Sequence, residues 1–262
     1  MPTMKLLFVA LLFVASAALA ASSEEIIRLP SGEGAVLPYL LSTDGDREYT
    51  LAAILFNGGY GEVGLLSRCS PSPGANFLVR SRQLFVDRGV ATAVIDVPSD
   101  NRMMSDSFRM SRRHMDDVAA VLRDLRARLP QAKIFLVGTS RGTVSAAYAG
   151  AALGGEVAGV VLSSSMFNAP RDGAGLAGFD YARIAAPLLF VHHAADDCRY
   201  TPYAAAASLG QRYALITVHG GKPPRSGPCD PFHAHGYFGK EAETVEAISA
   251  WMAGRPYAKV IE

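Results

Sequence analysis

Cysteine is scarce in this chain, three in 262 residues, and there is a single tryptophan. Charge of one sign is equally scarce. The 25 Lys and Arg are offset by 24 Asp and Glu, and no stretch gathers the basic side chains into a block. That balance removes the electrostatic reason to expect nucleic acid or an anionic membrane as partner. There is no long hydrophobic run either. The apolar stretch over residues 6–18 falls short of the roughly 20 residues a spanning helix needs, and no cysteine follows it to carry a lipid anchor. Low-complexity tracts and internal repeats are absent as well.

The N-terminus instead has a short positive region ending at Lys5, the apolar run, and the small-residue close Ala18-Leu19-Ala20. This order predicts a secretory signal peptide cut after Ala20, and a secreted or periplasmic protein. Residues 21–262 are then half apolar and balanced in charge, which suits one α/β domain with a sizeable core.

Apolar, β-branched runs alternate with helix-like segments, the pattern of a mostly parallel sheet covered on both faces. Strands are predicted over 51–56, 90–97, 133–137, 157–162, 187–191 and 214–218, preceded by an antiparallel pair over 26–29 and 35–41. Helices are predicted over 76–87, 111–128, after Ser140 and over 241–252, the second stopped by Pro130. The segment 163–186, broken by Gly173, Gly175 and Gly178, has room for only a small lid. Arg109, Arg112 and Arg113 read as a solvated helix face.

Gly138-Thr139-Ser140-Arg141-Gly142 lies between the predicted strand at 133–137 and an Ala-rich helix start. A serine on a sharp strand-to-helix turn needs small neighbours. Its hydroxyl then projects outward while the helix N-terminus offers N–H groups to an anion. A serine hydroxyl is a weak nucleophile at neutral pH and needs a histidine base oriented by a carboxylate. Asp196 follows the strand at 187–191 and His235 precedes the last helix, in the chain order serine, acid, histidine. Asp197 is an alternative acid. Among the other histidines, His192 and His193 stand at a strand end, where they can satisfy backbone groups, His219 ends a strand and His114 sits on a helix. His233 and His235 form a His-x-His, but no third ligand is implied, so no metal or other cofactor is expected.

The chain resembles the α/β-hydrolase superfamily, and especially small secreted bacterial hydrolases of the dienelactone-hydrolase and acyl-esterase branch. Gly-Thr-Ser-Arg-Gly matches the nucleophile motif, His-His-Ala-Ala-Asp resembles the segment carrying the acid, and His-Gly-Tyr-Phe resembles the segment carrying the histidine. The resemblance spans the mature chain, departing at His193, where glycine is usual, and at the second acid, Asp197. It implies an oxyanion hole made by the N–H of Arg141 and, from the loop after residue 56, that of Gly59.

Three further expectations follow. Cys198 and Cys229 lie near Asp196 and His235 in sequence, so a fold that joins acid and base brings the two sulfurs together. A disulfide between them is expected in an oxidising compartment, with Cys69 left over; three buried thiols are the alternative. The substrate is expected to be a small acyl compound, a short ester or a soluble peptide-like molecule, and Arg80, Arg82 and Arg141 are candidate attractors of an acidic one, although a structural role weighs more for each. The competing functions are a non-catalytic binding protein on the same fold, a metal-dependent hydrolase using His192, His193 and His235, and, weaker still, a nucleotide-binding doubly wound domain. Nothing in the sequence bears on oligomeric state.

Overall fold

The computed structural model describes residues 22–45, 47–67 and 76–262. The expected signal peptide and Cys69 lie outside these residues. The chain opens with the antiparallel hairpin β1 (Ser22–Ser31) and β2 (Ala35–Asp44), as the alternating pattern predicts. β2 then runs antiparallel to β4 (Val90–Ile95), and every later pairing is parallel. With β3 (Leu51–Phe56), β5 (Lys133–Thr139), β6 (Gly159–Ser163), β7 (Leu188–His193), β8 (Ala214–Val218) and β9 (Val260–Ile261), the strand order is β1-β2-β4-β3-β5-β6-β7-β8-β9. The order reverses direction between β3 and β5. Loops leaving the carboxyl ends of those two strands therefore part to opposite sides and open a crevice, the usual ligand position in an open α/β sheet.

Period-2 alternation in the central strands sends side chains to two separate cores. Ile54, Phe56 and Leu136 meet Val118, Val121, Leu122 and Leu125 of α4 (Arg112–Arg128) and Val144 of α5 (Gly142–Leu153). Ala53, Leu55 and Val137 meet Phe77 of α1 (Phe77–Arg80), Phe85 of α2 (Arg82–Asp87) and Val245 and Ile248 of α7 (Glu241–Met252). The strands read as continuous apolar runs because both faces are buried. The segment predicted as one helix over 76–87 is two, meeting at Ser81, whose N–H returns to Phe77 O. Two short helices escaped the sequence pattern, α3 (Asp106–Arg109) and α6 (Tyr203–Leu209).

The solvated face expected for residues 109–113 needs correction. Arg112 is exposed and Arg113 pairs with Asp100 at 2.7 Å, but Arg109 is completely buried. Local pattern misled because α3 stops at Arg109 and a new helix starts three residues later, capped by the Ser111 side chain, so the three arginines share no common helix face. The loop after β3 also contains Gly59-Tyr60-Gly61-Glu62-Val63-Gly64, the letter spacing of a dinucleotide loop. That fingerprint works only where the glycines open directly onto a helix; here Gly64 is followed by a turn over 65–67 and not by a helix.

Candidate active site

Ser140 has φ 52°, a left-handed conformation that few non-glycine residues adopt, on the turn between β5 and α5. Close approach on both sides explains the flanking glycines. A Cβ at Gly138 would lie 2.5 Å from Gly142 O, and one at Gly142 would lie 2.1 Å from Phe56 O. The turn is fixed by Ser140 N–H donating to Ser163 O at 3.0 Å and Thr143 Oγ1 donating to Ser140 O at 2.6 Å.

Asp196 and His235 come from separate loops. Nδ1–H of His235 donates to Asp196 Oδ2 at 3.0 Å, and both side chains are almost fully buried. The same oxygen accepts from Thr201 Oγ1 at 2.8 Å, while Oδ1 accepts from Cys198 N–H at 3.1 Å. Three donors on one carboxylate fix its plane. Among the described residues Nε2 of His235 has no hydrogen-bond partner. It is the nitrogen on the far side of the ring from Asp196, and His235 and Ser140 line one cavity of about 340 Å³ together with Asn57, Gly58, Gly59, Tyr60, Asn76 and Cys229. Asp197 is exposed instead, with its carboxylate 3.4 Å from Nδ1 of His233. The structure thus brings together Ser140, Asp196 and His235 and leaves Asp197 outside.

Cys198 and Cys229 form a disulfide. It stands at the site itself, since Cys198 donates to Asp196 and Cys229 lines the cavity. A second brace was not legible in the sequence. Tyr237, fully buried in a left-handed conformation (φ 58°), donates its hydroxyl to Val191 O at 2.6 Å. Its oxygen accepts from Ser164 N–H at 3.1 Å, and Ser164 Oγ donates to His235 O at 2.8 Å. The His235 backbone is thereby tied to the ends of β6 and β7.

His192 and His193 are committed elsewhere. His192 is buried against Phe167 and Nε2 accepts from Ser165 N–H at 2.9 Å. Burial lowers its pKa to about 3, so it stays neutral. His193 donates from Nε2 to Gly220 O and accepts Ala195 N–H at Nδ1, which uses both ring nitrogens. Both therefore do the backbone-satisfying work expected at a strand end.

The arginines considered for an acidic substrate all face carboxylates. Arg80 pairs with Glu241 at 3.0 Å and Arg82 with Glu24 at 2.6 Å. Arg141 pairs with Asp106 at 3.2 Å and Asp172 at 2.6 Å and stacks over Tyr60. The expected donors of the oxyanion hole flank the nucleophile: among the described residues, the N–H groups of Gly59 and Arg141 give no hydrogen bond. Between β6 and β7 the chain forms one short turn of 3-10 helix, Tyr181–Arg183, and no inserted domain.

The strand order, with a left-handed serine on the turn after β5, is that of the α/β-hydrolase fold. Residues 99–189 match the family described as serine aminopeptidase, S33. No curated protein matches the chain by sequence. Among solved structures, Est1E from Butyrivibrio proteoclasticus is 16% identical, with 87% of this chain and 98% of that one covered at a TM-score of 0.58. A dienelactone hydrolase from Anabaena variabilis is 17% identical, covering 89% and 98% at 0.60. XC6422 of Xanthomonas campestris, an α/β serine hydrolase without a lid, is 17% identical, covering 89% and 97% at 0.59. At identities under 20% these solved structures show a shared fold, that of the α/β hydrolases.

Proposed function

We propose that this chain is an exported serine esterase that cleaves a short acyl ester through an acyl-enzyme on Ser140. The observation that carries the reading is His235, buried with Nδ1 bound to Asp196 and Nε2 unpartnered in the cavity that Ser140 lines. Ser140 Oγ attacks the ester carbonyl as His235 Nε2 takes its proton, and Asp196 stabilises the imidazolium without taking the proton itself. The N–H groups of Arg141 and Gly59 receive the charge that develops on the carbonyl oxygen. His235 then protonates the departing alcohol, and water, activated by the same nitrogen, releases the acid. A small cavity without an inserted cover supports a short, soluble acyl substrate over a long-chain lipid. Est1E and the dienelactone hydrolase are relatives in fold whose names carry ester and lactone chemistry. The disulfide supports folding in an oxidising compartment.

Labelling with a fluorophosphonate, followed by a panel of short esters, tests the reading. The expected result is one adduct, on Ser140, with turnover falling as the acyl chain lengthens. A well-folded protein that neither labels nor turns over is the non-catalytic binding protein of the same fold.

A further inference from the structure

Among the described residues Arg109 is the largest side chain with no exposed surface, and none of their carboxylates stands within ion-pair distance of it. Its guanidinium is satisfied by neutral oxygens. Nε donates to Met104 O at 3.3 Å, Nη1 to Ser145 Oγ at 2.8 Å, and Nη2 to Asn57 O at 3.1 Å and Gly59 O at 3.3 Å. Asp106, its neighbour in sequence, is ion-paired with Arg141 instead. Burial lowers the guanidinium to about 9, which leaves it charged at neutral pH.

The position of those oxygens is informative. The carbonyls of Asn57 and Gly59 lie on either side of the Gly58–Gly59 peptide, whose N–H is the outer oxyanion donor in the reading above. Both carbonyls are drawn down to one nitrogen, Nη2, and the carbonyl between them, that of Gly58, accepts from Gly61 N–H at 3.0 Å. Three successive carbonyls are thus committed inside the protein, and the Gly59 N–H is left without an internal partner. The same guanidinium reaches Ser145, five residues beyond Ser140 on α5, so one buried cation links the glycine loop to the nucleophile helix. Ser145 Oγ accepts from Arg109 and shares a hydrogen bond of 2.9 Å with Nε2 of His114. His114 is held neutral, lowered to about 3 by burial and then by the Arg109 charge, so it can accept.

Resting on the Ser140 reading, we propose that Arg109 is the positioning residue of the oxyanion loop: it fixes the Gly59 N–H opposite that of Arg141 and sets a buried positive charge behind the developing oxyanion. A fixed donor in a water-poor site needs no reorganisation as charge develops, which is where such groups act on kcat and not on substrate binding.

The test compares the full mature chain with Arg109→Met and Arg109→Lys. A short p-nitrophenyl ester gives kcat and KM. A trifluoromethyl ketone, which forms a hemiketal oxyanion on Ser140, and the matching secondary alcohol, which forms none, report affinity for the charged and uncharged states. In Arg109→Met we expect kcat to fall about 100-fold with KM within about threefold, and the ketone to lose about the same factor in affinity while the alcohol is unchanged. Arg109→Lys keeps the charge but loses the fork that spans two carbonyls, so its kcat should lie between the two; it carries the test by itself if the methionine variant does not fold. Folded variants that keep kcat within about threefold, or that lose ketone and alcohol affinity together, would overturn the proposal. A wild-type protein that fluorophosphonate does not label fails earlier and at a different point, at Ser140 itself.

Discussion

The two sides of the candidate site are held by different chemistry. On the side of Asp196 and His235 the loops are long and their outer parts are exposed, with residues 219–230 almost entirely at the surface. Ordering such chain costs roughly 1–2 kcal/mol per residue in backbone entropy, and there is little apolar burial to offset it. The constraint there is covalent, a disulfide closing 31 residues, helped by Thr201 and Tyr237. On the side of Ser140 and Gly59 the loop lies over α3 and α5, and buried polar groups are satisfied inside the protein. The constraint there is electrostatic: Arg109 beneath the loop, and Arg141 held by Asp106 and Asp172 beside it. The contrast shows that a site can be made rigid by a cross-link where the core is absent, and by a satisfied buried cation where the core is present.

The largest effect expected is from Ser140→Ala, which removes the group both sides serve. Hydrolysis of an activated ester should fall by at least about 10,000-fold, with an unchanged circular dichroism spectrum. Retained turnover of a few per cent would remove the serine mechanism.

Next comes a pair that separates the acid side from its surface. Asp196→Asn should cost about 10,000-fold in kcat, since an asparagine no longer fixes the histidine tautomer. Asp197→Asn, exposed and facing His233, should leave kcat within about a few-fold of the parent. The reverse order of damage, read from kcat on the same ester, would mean that Asp197 serves His235.

A third experiment sharpens the covalent side alone. Reduction of the Cys198–Cys229 bond should lower stability by about 3–4 kcal/mol in the chain-entropy account. It should also lower kcat at temperatures where the fold persists, because the bond joins the loops that carry Asp196 and line the cavity beside His235. Ester hydrolysis and circular dichroism followed together through a reductant titration decide this. If activity falls only in step with unfolding, the bond stabilises the fold and has no separate effect on the site.

The smallest effect belongs to the ionic side. Asp172 is held down to about 2, first by its hydrogen bond from Arg141, and burial opposes the shift. A carboxylate depressed in the folded state contributes stability above its ordinary value of 3.8, and that contribution is lost as pH falls through about 2. With half of its side chain exposed, the pair is worth under about 1 kcal/mol. Asp172→Asn should therefore shift acid unfolding between about pH 4 and 2 only slightly, and should leave neutral-pH kcat almost unchanged. An unfolding profile identical to the parent's would mean that this ion pair adds nothing, and that the ionic side rests on the buried Arg109 and Asp106.

The strands were legible because burial on both faces writes itself as apolar, β-branched runs; β3 and β8 fall on the expected residues, β4 ends two residues early, the two-residue β9 was not expected, and the rest are shifted or extended by one to a few positions. α7 was legible in full and α4 to within its cap. Ser140 was legible because a strained turn must write its glycines into the sequence next to it. What could not be read were contacts between segments far apart in the chain. Arg109 looked like one of three solvated arginines, since nothing local shows that oxygens 36, 50 and 52 residues away converge on it. Tyr237 looked like part of a histidine motif, and its hold on the ends of β6 and β7 spans 73 and 46 residues.

The sequence by itself therefore determined the class of fold, the order of its elements and the residue types from which a nucleophile, a base and an acid can be drawn, because each depends on short-range sterics or on a hydrophobic period. Only the tertiary structure decided which of two adjacent aspartates reaches His235, that a buried arginine underlies the glycine loop, and that two cysteines meet at the edge of the cavity. Those choices depend on where strand ends are brought side by side, and a one-residue change of register, which local pattern barely registers, turns a side chain from the site to the solvent.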